Sequence, residues 1–292
     1  MVSDTHAQFA WGYNDYLYNY KPEETAIIIL GDVGFNFYLN KHDDRKKSEV
    51  NAWGYRFYCV RGNHESRPRD VDGYKLIYDD DVNGEVYIQD KYPNLRFFKD
   101  WGEYRIGGYS ICVIGGAYSV DKWWRLARAG VLDETDLDYN NPKKTGWFPN
   151  EQLSKREMTQ ATADLVNKSF DFVFTHTCPK DWQPTDLFLD SIDQSNVDNS
   201  MELWMDELKD KFKWNIWLFG HYHCDRLERP HVEQFYNNVE PLDDIYHRWL
   251  EYDKGQEFPW YLRKSPNFYM KRLDGRKSIQ FDFFENLCYN KL

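Results

Sequence analysis

Tyr55–Glu65 reads YRFYCVRGNHE: a short, mostly apolar run, then a glycine, then a cluster of polar side chains. A run of this kind predicts a strand buried on both faces, with its polar cluster at the strand end. The pattern recurs along the chain. Thr25–Leu30 stops at Gly31-Asp32, Tyr109–Ile114 at Gly115-Gly116, Phe170–Phe174 at Thr175-His176, and Trp214–Phe219 at Gly220-His221. Amphipathic segments lie between some of these runs. Asn150–Val166 places Leu153, Met158, Ala161 and Leu165 at helical spacing, with Asn150 as its cap. Met201–Phe212 puts Leu203, Trp204, Leu208 and Phe212 on one stripe, and Asp121–Ala129 reads as a short helix closed by Gly130. Strands alternating with helices predict an α/β layered fold. Val86-Tyr87-Ile88 and Leu95–Phe98, around Tyr92-Pro93-Asn94, predict an antiparallel hairpin. After Gly220, short strands are expected at Val232–Tyr236, Phe268–Leu273 and Ser278–Phe283, with a helix at Asp243–Tyr252. No linker or repeat is visible, so residues 1–292 read as a single domain, with 230–266 a candidate accessory segment.

Composition narrows the function. The 292 residues are 41% hydrophobic and 18% aromatic, enough for a large core. The longest strongly apolar run, Ala26–Leu30, is far short of the roughly 20 residues that span a membrane. No secretory signal is visible, and the five cysteines (Cys59, Cys112, Cys178, Cys224, Cys288) form no CxxC pair, so a cytoplasmic protein with reduced thiols is expected. A formal net charge of −11 disfavours non-specific nucleic-acid binding, which depends on neutralising phosphates. A small phosphorylated substrate held through metal ions remains compatible with it.

The strand ends carry the chemistry. Asp4 and His6, Asp32, Asn63 and His64, His176, and His221 and His223 all fall at or beside these ends, where ligands bind in open α/β sheets. Asp and Asn oxygens with His nitrogens can hold two divalent metals and suit Mn, Fe, Zn or Ni rather than Ca. With 8 His in 292 residues, an HxH pair arises by chance roughly 0.2 times, and with a preceding glycine roughly 0.01 times. The order and strand-end context of all the blocks raise a weak set of signals to a strong one.

The blocks SDTH, GD, RGNHE, TH and GHYH, spanning Asp4 to His223, resemble the calcineurin-like metallophosphoesterase superfamily. Gly115–Lys122 followed by Arg125 resembles a loop of its uncharacterised bacterial and phage members. The resemblance implies a four-layer α/β/β/α sandwich with two mixed sheets. It implies two divalent cations, Mn first, with Fe, Zn or Ni as alternatives. Asp4, His6, Asp32 and His223 would hold one, and Asp32, Asn63, His176 and His221 the other, with a bridging hydroxide as nucleophile. His64 would neutralise the transition state or protonate the leaving group. The function implied is phosphoester hydrolysis, a phosphodiester or nucleotide-type substrate first. The alternatives are a phosphomonoesterase or protein phosphatase, and a non-catalytic scaffold on the same fold.

Two departures stand out. Where many relatives carry a second Asp that orients the catalytic His, this chain has Phe35, so His64 needs another partner, such as a backbone carbonyl. Only Met1, Val2 and Ser3 precede Asp4, against about 5–6 residues in an ordinary strand. The first strand is then a stub or the chain lacks native N-terminal residues, stability is lowered, and Asp4 is weakly held. Other residues have plainer readings. The charged run Lys41–Lys47, with His42, is expected to be solvated, and His231 and His247 to be structural. Cys178 and Cys224 read as packing thiols near the site. Trp123-Trp124 and Phe97-Phe98 are expected in the core, a base-stacking platform being the alternative. Arg125 could bind substrate phosphate or brace its own helix. Glu65 and Asp225 could hold His ligands or be exposed turn carboxylates.

Overall fold

Sheets that are apolar on both faces need cover on both sides, and the helices here supply it. The computed structural model describes residues 1–7, 17, 20–131, 145–188 and 193–255. Residues 1–257 form one compact unit, and residues 258–292 form a second that lies outside the described residues, as do the strands expected at Phe268–Leu273 and Ser278–Phe283.

The first sheet has strands β1 (Ala26–Ile29), β2 (Arg56–Cys59), β3 (Tyr74–Asp79), β4 (Gly84–Gln89) and β5 (Leu95–Phe98), in the order β1-β2-β5-β4-β3. β1, β2 and β5 are parallel. β4 returns antiparallel to β5, Val86 opposite Phe98 and Tyr87 opposite Phe97, as the hairpin reading expects. The second sheet has β6 (Trp101–Ile106), β7 (Tyr109–Ile114), β8 (Ser169–Thr175), β9 (Lys213–Phe219), β10 (Arg226–Arg229) and β11 (Val232–Gln234), in the order β10-β11-β9-β8-β7-β6. Its middle, β7-β8-β9-β11, is parallel. Five helices are described: α1 (Lys41–Asn51), α2 (Lys122–Arg128), α3 (Lys155–Leu165), α4 (Ser200–Leu208) and α5 (Leu242–Asp253).

Alternation along each strand sorts the side chains into layers. Ile27, Ile29, Phe57, Cys59 and Phe97 share a core with Val50 of α1. Cys112, Val173 and Trp217 pack with Met158 and Leu165 of α3 and with Met201, Met205 and Leu208 of α4. Between the sheets, the Phe98 ring lies 4.5 Å from that of Tyr104 on β6. The result is the four-layer α/β/β/α sandwich with two mixed sheets that the resemblance implies.

Several local expectations are corrected. α3 begins after Ser154, not Asn150, because Ser154 and Glu157 form a reciprocal capping box that satisfies two backbone donors at once. Asn150 instead donates to Asp70. In α4 the buried stripe is Met201, Met205 and Leu208, while Leu203 faces water. The run Lys41–Lys47 opens α1 and is not wholly solvated. Asp43 and Lys47 are buried, and Lys47 Nζ donates to Asn36 and Gln89. His42, half-buried, stacks on Tyr38 with ring centroids 4.6 Å apart. Phe97 and Phe98 are in the core, but Trp123 and Trp124 are exposed. The four described cysteines are unpaired. Val2 forms a one-residue parallel bridge to Ile29.

Candidate metal centre

The carboxyl ends of β1, β2, β7, β8 and β9 meet at one edge of the sandwich. Across the two sheets, His176 Nδ1 lies 2.8 Å from the Leu30 carbonyl, and Gly116 N donates to the Arg61 carbonyl at 2.7 Å. The Val2 segment adds its own turn, with Asp4 N donating to Gly31 O and His6 N to Asp32 O. Leaving a strand abruptly toward a common point needs unusual backbone. Asp4, His6, Asp32, His221 and His223 all adopt the left-handed region, with φ of 49°, 44°, 49°, 71° and 51°. Each such conformation costs on the order of 1 kcal/mol or more and persists where the surroundings over-determine it. Two glycines make the approach possible by lacking a side chain. A Cβ on Gly62 would lie 1.9 Å from Asp32 Oδ1, and one on Gly220 would lie 1.8 Å from Ser3 Oγ and 2.6 Å from Asp4 Oδ2.

The expected residues converge. Asp32, buried at the middle, has Oδ1 3.6 Å from His176 Nε2, and Oδ2 3.9 Å from His6 Nε2 and 4.0 Å from His64 Nε2. Asn63 Oδ1 lies 2.9 Å from His176 Nε2. His221 packs its ring 5.0 Å from that of His176. On the other side, His223 Nε2 lies 3.5 Å from Asp4 Oδ1 and 3.4 Å from His6 Nε2. Ligand atoms of Asp4, His6 and His223, and of Asp4, Asp32 and His176, each fall within 4.8 Å of one another, the spacing of groups that share a cation. Asp4 Oδ1 is buried with no hydrogen-bond partner, an unmet acceptor that a cation would satisfy. Asp4 is not weakly held: its Oδ2 accepts from Ser3 Oγ at 2.5 Å and from His221 N at 2.8 Å. The oxygen and nitrogen donors fit divalent transition metals.

The electrostatics are those of a site short of positive charge. Burial alone would raise the Asp4 carboxyl, but the neighbouring His223 and His176 imidazoles hold it down at about 2. Asp32 is driven well below the usual carboxylate range, as His176, His64 and His6 overcome its burial. Burial works against a charged His176, yet the Asp32 carboxylate lifts its pKa to about 9. Burial pushes His221 down to about 3, with the charge of His176 adding to the effect. Burial likewise pushes His64 down to about 4.

The sequence does not reveal what positions these groups. His176 Nδ1 donates to the Leu30 carbonyl, leaving Nε2 to face Asp32 and Asn63. Asn63 Nδ2 donates to Ser119 Oγ at 2.8 Å, which donates to buried Glu151 at 2.5 Å. Ser119 lies in a loop quoted above, but Glu151 is 32 residues further on and has no local signal. Tyr236 stacks on His223 with ring centroids 4.9 Å apart. Glu65 is fully buried and accepts Gly62 N at 2.9 Å, so it braces the RGNHE turn and is not an exposed carboxylate. Asp225 accepts from the backbone of Tyr236, Asn237 and Asn238 and so shapes the loop behind His223. Arg125 braces its helix, donating to Asp121 Oδ2 at 2.7 Å and to Gly146 O at 3.0 Å. Among the described residues, His64 Nδ1 is buried with no hydrogen-bond partner, and no carbonyl there replaces the carboxylate that Phe35 displaces. His231 pairs with Asp253 at 2.9 Å, far along the chain from the centre.

The sequence profile of the calcineurin-like phosphoesterases matches residues 1–225. No curated protein sequence matches the chain. Among solved structures, the sulfate thiohydrolase SoxB of Thermus thermophilus in complex with glycerol is 15% identical with a TM-score of 0.30, a likeness too slight to bear on this site. The match covers 73% of this chain and about a third (34%) of that one. Among the described residues, no helix is long and apolar enough to cross a membrane.

Proposed function

The chain belongs to the calcineurin-like phosphoesterase family, whose members are metal-dependent phosphoester hydrolases, and from that premise we propose that it cleaves phosphodiesters with two divalent cations, Mn first. Asp4, His6, Asp32 and His223 hold one cation in this reading, and Asp32, Asn63, His176 and His221 the other. The observation that carries it is Asp32, whose two oxygens face His176 on one side and His6 and His64 on the other. Bound there, the cations would lower the pKa of a water between them and neutralise phosphoryl charge.

His64 acts in this scheme as a neutral donor. Its pKa, lowered by burial to about 4, keeps the ring uncharged near neutrality. Nε2 faces the Asp32 carboxylate at 4.0 Å, whereas Nδ1 has no acceptor among the described residues, so the proton is assigned to Nε2 and the lone pair to Nδ1. Nε2–H is then free to donate to a phosphoryl or leaving-group oxygen. The substrate is read as a small phosphorylated molecule, and the protein as cytoplasmic.

The test is metal content by elemental analysis together with hydrolysis of bis(p-nitrophenyl) phosphate and p-nitrophenyl phosphate, for wild type, Asp32→Asn and His221→Ala. Two cations per wild-type chain, fewer in both variants, and activity lost in both is the expected result. A diester rate far below the monoester rate would move the assignment to a phosphomonoesterase. Metal-free, inactive wild type in excess Mn²⁺ would leave a scaffold on the same fold.

A further inference from the structure

Ser119 does more than orient Asn63: its carbonyl accepts Lys122 N at 3.0 Å and so starts α2 at the edge of the centre. Val120 follows at once in the turn before the helix, and Trp123 and Trp124 are adjacent on its first turn, about 100° apart around the axis. All three face water, at 42%, 48% and 41% exposure. Exposed apolar patches beside a site mark ligand surfaces more often than chance exposure. Charge says what kind of ligand. α2 reads KWWRLAR, three cations and no acid, in a chain of net charge −11. Lys122 Nζ lies 4.5 Å from the buried Trp147 ring centroid and 4.8 Å from that of Trp123, its charge acting on buried Glu151, while Arg128 Cζ lies 5.2 Å from the Trp124 ring centroid. The one acid at the start of this helix, Asp121, is taken by Arg125, and both bear electrostatically on His64. Aromatic faces interleaved with cations suit a ligand that is planar and anionic at once.

We propose that α2 is the platform for a nucleotide unit of the substrate, a base stacking on the exposed Trp123–Trp124 pair while Arg128 faces its phosphates. The inference rests on the phosphodiesterase reading and narrows its substrate class. Two readouts separate the fates of the two ideas. The first is calorimetric binding of a thymidine tetranucleotide, and of thymidine 5′-monophosphate, to protein freed of metal. The second, with Mn²⁺, is the ratio of kcat/KM for p-nitrophenyl thymidine 5′-phosphate to that for ethyl p-nitrophenyl phosphate, which shares the leaving group. In a Trp123→Ala/Trp124→Ala double variant, tetranucleotide affinity and the ratio should each fall roughly 5- to 100-fold. A Trp123→Phe/Trp124→Phe variant should restore most of both. Mononucleotide affinity near that of the tetranucleotide supports a platform for one base, and much weaker affinity supports one that follows a strand. Affinity and ratio within twofold of wild type in the alanine variant would overturn the platform alone. Binding that responds to the tryptophans in a protein that cleaves neither ester would overturn the hydrolase reading and leave the platform standing.

Discussion

The two sides of the candidate centre have similar donors but different support. His176 is fully buried with Nδ1 tied to Leu30, and Asn63 is fixed through Ser119 to a buried Glu151. On the other side, the His6 and His223 side chains keep 33% and 29% of their exposure, face each other at 3.4 Å, and flank an Asp4 oxygen that has no hydrogen bond. The inner side is organised by folding before any cation arrives. The outer side gathers half-exposed donors around an acidic oxygen, and a cation there would join them. Similar ligand chemistry therefore need not mean similar affinity, and the inner cation should be the harder to remove.

The largest effect should come from the ligands themselves. His176→Ala should remove one cation per chain and lower activity by at least about 10³-fold, because the roughly nine-unit drop in the pKa of bound water goes with the cation. His6→Ala should keep the inner cation and regain much of its activity as Mn²⁺ is raised. Metal titration of both variants checks this, and equal loss in the two would break the contrast. A middle-sized effect belongs to the groups behind the ligands. Ser119→Ala should weaken the tighter of the two cations by about 10- to 100-fold. Ser3→Ala, which removes one hydrogen bond to Asp4, should weaken the other only a few-fold. Competition with a chelator measures both, and a reversed order would show that the inner side is not pre-set.

The smallest effect is in the pH dependence of the metal-free protein. His176, raised to about 9 because the Asp32 carboxylate outweighs burial, contributes stability that is full below pH 6.5 and is lost as pH rises to 9. Burial holds His64 and His221 neutral, at about 4 and 3, whereas the unfolded chain takes up those protons below pH 6.5. Stability is therefore also lost as pH falls from 6.5 toward 3. Burial also raises Glu65 to about 8 and Glu151 and Glu202 to about 7, so their contribution too is lost as pH rises through those values. Thermal melts should drop on the order of several degrees on each side of a maximum between about pH 5 and 7. Saturating Mn²⁺ should flatten the alkaline limb. A flat alkaline limb without metal would mean that His176 and Asp32 do not pair.

Much of this was legible because it is local. An apolar run ending in Gly-Asp or Arg-Gly-Asn-His places its polar groups at a strand end whatever the rest of the chain does. The layered fold and the convergence of Asp4, His6, Asp32, Asn63, His64, His176, His221 and His223 follow from that. The groups behind the ligands were not legible, because Glu151 reaches Asn63 only through tertiary packing. Trp123 and Trp124 were misread as core because aromatic composition speaks for burial on average, whereas α2 is a short helix with one buried residue, Leu126. Asn150 lost the helix start to Ser154, since a capping box satisfies two donors and a lone Asn one. Phe35 signalled that His64 lacks a carboxylate partner there, but whether anything replaced it depended on packing, and among the described residues nothing did.

The hydrogen bond from His221 N to Asp4 spans 217 residues, and this has a consequence for how the protein is made. A ribosome adding roughly 5–20 residues per second needs on the order of 10 to 45 s to go from one to the other. Throughout that interval Asp4 and His6 have emerged with no His223 to close the outer side, while Asp32 and Asn63 wait for His176. Metal capture therefore comes after most of the chain has been synthesised, and the cation acquired is chosen by a nearly finished protein from whatever the cell then offers.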